Sequence, residues 1–109
     1  MKRVGRVPLA ELHANDFVRV EYPPHNILVA IVDGTPCAIE DSCNHAGASL
    51  FEGPRRGNTV SCPMHGYIFD LRSGELLRPR RLCAHQRTFV ITHEGDDVIV
   101  WDPVAITFG

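Results

Sequence analysis

Two short cassettes, Cys43-Asn44-His45 and Cys62-Pro63-Met64-His65, constrain this 109-residue chain more than any other feature. They are separated only by residues 46–61, and together they supply two thiols and two imidazoles. That is a complete set of four metal ligands. A mixed Cys2His2 set suits zinc, held tetrahedrally, or a two-iron, two-sulfide cluster in which two histidines replace two cysteines on one iron. Zinc sites ordinarily place like ligands together in each closely spaced pair, whereas here each cassette offers one cysteine and one histidine. Each cassette can therefore give one ligand to each of two irons.

The length allows one small domain, spanning 1–109, and a hydrophobic content of 44% is enough for a modest core without disulfides. There is no room for a second, catalytic domain. Lys2, Arg3 and Arg6 make a basic start, but Pro8 and Glu11 follow in place of an apolar stretch, so no secretory signal is expected. The longest apolar run, residues 27–32, is too short to span a membrane. A soluble, cytoplasmic monomer is the expectation. Cys37 and Cys83 stand outside the cassettes among small and apolar neighbours, and are expected as buried free thiols.

Short strands separated by turn signals fill the chain. Residues 3–7, 17–22, 27–32 and 35–40 are β-rich; Pro23-Pro24 breaks the second from the third, and Asp33-Gly34 is a two-residue hairpin turn. Residues 8–14 have room for one helical turn, 52–57 read as a loop, and 58–62 as a strand delivering the second cassette. Further strands are expected at 67–71, 75–77, 87–93 and 98–101. With no repeat, linker or long apolar helical stripe, an all-β, mainly antiparallel fold follows: a β-sandwich base with a cluster-bearing insertion at about 43–80. In the second cassette Pro63 fixes one backbone angle and Gly66 permits a positive one; Gly47 can serve the first loop similarly. Backbone N–H groups of such loops can donate to sulfides, with Met64, His65, Gly66 and Tyr67 as candidates.

The sequences Cys43-Asn44-His45-Ala46-Gly47 and Cys62-Pro63-Met64-His65-Gly66, followed by Phe69-Asp70 and Ser73-Gly74, resemble the cluster-binding loops of Rieske iron–sulfur proteins, and the likeness of layout runs from about 16 to 101. The resemblance implies one [2Fe-2S] cluster, with Cys43 and Cys62 on the inner iron and His45 and His65 on the outer. It also implies the two-part architecture, with Pro79 resembling a proline-bearing third loop over the cluster. The family's respiratory branch has a further cysteine in each loop, where this chain has Ala48 and Met64, and hydroxyl donors where it has Tyr67 and Phe69. A low-potential, ferredoxin-like centre is therefore implied. The expected role is a one-electron carrier, not an enzyme by itself, passing electrons from a flavin-dependent reductase to a terminal oxygenase. A small Rieske subunit held in a redox enzyme, similar to that of assimilatory nitrite reductase, is the alternative, and a zinc-stabilised interaction module is one of another class.

His13, His25, His85 and His93 show no ligand spacing and read as surface or loop histidines. Arg55, Arg56, Arg72, Arg78, Arg80, Arg81 and Arg87 fall in one window, although the net charge is only −2. They form either a solvated basic face or a surface that steers an acidic redox partner to the cluster edge. No nucleic-acid recognition motif accompanies them. Trp101, Phe89, Phe17 and Leu50 are expected in packing roles.

Overall fold

The computed structural model describes residues 1–43, 47–64, 66–78 and 85–103. In order the elements are β1 (Lys2–Pro8), α1 (Leu9–Ala14), β2 (Val18–Val20), β3 (Ile27–Val32), β4 (Thr35–Glu40), a 3-10 turn (Leu50–Glu52), β5 (Arg55–Arg56), β6 (Thr59–Ser61), β7 (Ile68–Asp70), β8 (Leu76–Arg78), β9 (Thr88–Glu94) and β10 (Asp97–Asp102). Every strand pairing among the described residues is antiparallel, in keeping with the all-β class read from the sequence.

A strand made of six apolar residues has to be covered on both faces, and β3 is. Ile27 and Val29 enter one buried group with Ala38, Phe89, Val98 and Val100. Leu28, Ala30 and Val32 enter a second with Ile39, Val60, Phe69 and Leu76. The first group lies within a six-stranded sheet of order β1-β10-β9-β4-β3-β2. Among the described residues its halves are joined by two ladder pairs, Ala38↔Phe89 and Ile39↔Thr88, and by Glu40 N–H donating to Arg87 O, a short junction across which the sheet can fold over on itself as a sandwich does. Its two edge strands then approach: a Cβ added to Gly5, beside a register shift in β1, would stand 2.6 Å from Val20 Cγ1 of β2. The second group is closed by a smaller sheet of order β5-β6-β7-β8, laid over the other face of β3 and β4.

The β3–β4 hairpin turns where the sequence predicts it, with φ of 50° at Asp33 and 79° at Gly34. The segment 52–57 is more ordered than a loop. Arg55 and Arg56 pair with Val60 and Thr59, for a tertiary reason: the Arg55 guanidinium donates to the carbonyls of Asp16 and Gly57, each at 2.9 Å, and to that of Ile31. These bonds tie the small sheet to the large one. Strand β2 is shorter than residues 17–22, with Phe17 half-buried against the second core group. Among the described residues no helix is long and apolar enough to cross a membrane.

Candidate metal centre

Both cassettes sit at the ends of antiparallel pairs. The first loop opens beyond the isolated Ser42↔Ser49 bridge, the second beyond Ser61↔Ile68, the last pair of β6 and β7. In the first, Cys43 N–H donates to Ala48 O at 2.7 Å and Cys43 O accepts from Gly47 N–H at 2.7 Å. In the second, Cys62 N–H donates to Tyr67 O at 2.7 Å and Cys62 O accepts from Gly66 N–H at 2.9 Å. The two loops are thus built on one frame: each cysteine bonds through its N–H to the carbonyl five residues on, and through its C=O to the N–H four residues on. The closing glycines have φ of 72° and 69°, the left-handed region that side-chain-bearing residues avoid. On that shared frame His45 and His65 occupy successive, not equivalent, positions along the chain.

Cys43 and Cys62 are each 1% exposed and belong to the same buried group. Described residues further along the loops are exposed: Gly47, Pro63 and Gly66 face solvent, and Met64 is 64% exposed. The histidine ligands expected from the sequence, His45 and His65, lie outside the described residues, as do Pro79, Arg80, Arg81 and Cys83. One expectation needs correction. Gly66 N–H is committed to Cys62 O, so it closes the loop and is not a donor to sulfide. Phe69 is fully buried in the core, and Tyr67 packs against that core half-buried.

The first loop has a second layer of support that the sequence did not reveal. Asp41, 3% exposed, accepts the Ser49 hydroxyl at 2.6 Å and Phe51 N–H at 2.7 Å. Its own backbone N–H donates to Asn26 O and its carbonyl accepts from Leu50 N–H, both at 2.8 Å. On either side, the buried Gln86 amide donates to Glu40 O at 2.8 Å and Ser42 O at 2.7 Å. Neither residue stands out in the sequence: Asp41 follows Glu40, and Gln86 lies between His85 and Arg87. His85 also does more than face solvent: its Nδ1 accepts Leu76 N–H of β8 at 2.9 Å.

The arginines divide. Arg55 spans the seam between sheets; Arg72 pairs with Asp33 across the same seam, and Arg87 pairs with the buried Asp102, which also accepts the Tyr22 hydroxyl at 2.5 Å. That hydrogen bond to Asp102 pushes the Tyr22 hydroxyl above its usual pKa, and the Asp102 hydrogen bond likewise raises Arg87. Arg56 and Arg78 are exposed. Cys37 is a free thiol, as expected, but only half-buried where burial was expected, and that burial pushes its pKa up. Leu50 and Phe89 are buried, and the half-buried Trp101 donates its ring N–H to Thr92 Oγ1 at 2.7 Å.

Two cysteines buried in one group and carried on matching loop frames fit the thiolate-held side of a [2Fe-2S] cluster. Comparison with known proteins agrees. The ferredoxin component of biphenyl 2,3-dioxygenase from Rhodococcus jostii (strain RHA1) is 38% identical over 90 residues, 83% of each chain. The ferredoxin subunit of 3-phenylpropionate/cinnamic acid dioxygenase from Escherichia coli (strain K12) is 31% identical over 110 residues, covering 96% of this chain and 98% of that one. The solved structure of Sphingomonas yanoikuyae B1 ferredoxin superposes with a TM-score of 0.80 at 24% identity, over 94% of this chain and 100% of that one. The model of the Rieske [2Fe-2S] domain matches residues 4–81, and the chain belongs to that family.

Proposed function

We propose that this chain is a Rieske ferredoxin: a one-electron carrier that takes electrons from a flavin-dependent reductase and delivers them to a terminal oxygenase. The ferredoxin components of dioxygenases that it resembles along most of its length support this reading. The single structural observation that carries it is the pair of identically framed loops, with buried cysteines and with Gly47, Pro63, Met64 and Gly66 exposed. Cys43 and Cys62 would hold the inner iron of the cluster, and His45 and His65 the outer. When bound, the cluster supplies reversible one-electron chemistry at a potential raised by imidazole ligation relative to four-cysteine ferredoxins. With Ala48, Met64, Tyr67 and Phe69 where the respiratory branch has cysteines and hydroxyl donors, that potential falls in the lower part of the Rieske range.

The chain's own part is to position and to shield. The core around Cys43 and Cys62 keeps water from one side of the centre, and the exposed tip at Pro63 and Met64 gives a partner close approach on the other. Residues 1–109 act as one domain, working as a cytoplasmic monomer.

The test is direct. The purified holoprotein should contain two irons and two sulfides and show a Rieske EPR signal on reduction, and His45→Cys or His65→Cys should lower its potential or abolish assembly, because a thiolate adds negative charge at the outer iron. An unchanged spectrum and potential would remove that histidine from the ligand set. Reconstitution with a reductase and an aromatic-ring dioxygenase should restore product formation only when this protein is present.

A further inference from the structure

Asp41 lies two residues before Cys43 and is held from every side. Its backbone N–H and C=O are bonded to Asn26 and Leu50, the carbonyls flanking it are gripped by Gln86, and its carboxylate oxygens accept from Ser49 and Phe51. Ser49 and Phe51 belong to the segment by which the chain leaves the first loop. The carboxylate therefore has no freedom to swing toward water, and it is 3% exposed.

Its charge has no cationic partner among the described residues: the four ion pairs there join Arg3, Arg6, Arg72 and Arg87 to other acids. Burying an unpaired carboxylate is costly. The strut itself does not require that charge. An asparagine amide could accept from Phe51 N–H through its oxygen and donate to the Ser49 hydroxyl oxygen, preserving both bonds in shape. What an asparagine would not preserve is a fixed negative charge in a low-dielectric setting at the root of the first cysteine loop.

Building on the reading of this chain as a Rieske ferredoxin, we propose that the buried carboxylate of Asp41 is a positioning residue whose fixed charge also tunes the centre, holding its reduction potential down. Adding an electron to the cluster adds negative charge near a negative charge that water screens poorly, so the reduced state is disfavoured. Ser49 moderates the effect, since its hydroxyl dipole points at the carboxylate.

The experiment compares wild type, Asp41→Asn and Ser49→Ala as holoproteins, by iron and sulfide content, EPR of the reduced state and redox titration. Asp41→Asn should keep its cluster and line shape while the equilibrium for reduction shifts about tenfold toward the reduced form, a rise of about 59 mV for one electron. Ser49→Ala breaks the same strut but keeps the charge and strips its screening hydroxyl, so its potential should fall. An Asp41→Asn protein with unchanged potential would overturn the proposal, as would a rise in Ser49→Ala matching that in Asp41→Asn, which would mark loosening of the loop as the cause. Should Asp41→Asn fail to load its cluster, the sign in Ser49→Ala decides: a fall supports the charge effect, and a rise or no change refutes it. A wild-type protein without a Rieske signal would instead defeat the proposed function on which this inference rests.

Discussion

The backbone N–H of Gln86 donates to the carbonyl of Gly74 at 2.7 Å, and a Cβ added to Gly74 would stand only 2.2 Å from the carbonyl oxygen of Gln86. Gly74 also has a φ of 72°. Gly74→Ala therefore combines a left-handed backbone with a clash against main chain that cannot rotate away, and should cost more than about 2 kcal/mol. Because Gln86 also holds the carbonyls of Glu40 and Ser42, iron should be lost faster to a chelator. Gly34→Ala is the control: at φ 79° with nothing within 4 Å of the added Cβ, it should cost about 1 kcal/mol and leave iron loss unchanged. Urea denaturation and chelation kinetics of the holoproteins give both answers.

Tyr22 and Asp102 make an alkaline-side prediction. The Asp102 hydrogen bond raises the Tyr22 pKa in the folded protein, so the stabilisation is fully present below the ordinary tyrosine value of about 10 and is lost as pH rises through the raised folded value. The gap in melting temperature between wild type and Tyr22→Phe should accordingly be constant from neutral pH to about 9 and close above it. A gap that widens with alkaline pH would contradict the assignment.

Burial raises the Cys37 thiol, and reactivity follows the thiolate. At pH 8 iodoacetamide should modify Cys37 in the native protein several-fold more slowly than in the urea-unfolded chain, as read by the mass of the peptide that contains it. Cys37→Ser should keep full iron and sulfide content, whereas Cys43→Ser and Cys62→Ser should lose both.

How much of this was legible in the sequence depended on range. The hairpin at Asp33-Gly34 and the apolar strand 27–32 are local features, and the structure places them as read. The two cassettes were legible because their spacing is itself the signal. Asp41 and Gln86 were not, since the amide of Gln86 meets Glu40 and Ser42 only after β9 has docked beside β4. The arginine window misled for the same reason: Arg55, Arg72 and Arg87 find partners that are distant along the chain, and distance hides their structural work. Strand β5 likewise owes its form to contacts and not to propensity.

That division of the arginines sharpens the steering hypothesis. Arg56→Glu and Arg78→Glu, both at exposed positions, should slow electron transfer to an acidic partner at low salt and matter little at high salt, with unfolding midpoints unchanged. Arg80→Glu and Arg81→Glu should act in the same way. Arg55→Glu should instead lower stability at all ionic strengths, because it removes donors to Asp16, Ile31 and Gly57. Stopped-flow rates at two salt concentrations, with denaturation curves alongside, separate the two classes.

The pairing of β10 between β1 and β9 bears on biosynthesis. A chain emerging from the ribosome presents both cysteine loops, and all of β5 to β8, before the strand that completes the large sheet has been made. The second loop can rest on its own local hairpin from the outset. The first hangs from β4 without β9 beside it and without the amide of Gln86 on Glu40 and Ser42. A nascent chain thus offers a donor of iron and sulfide one ready loop and one slack loop, and cluster insertion has to wait until β9 has docked beside β4.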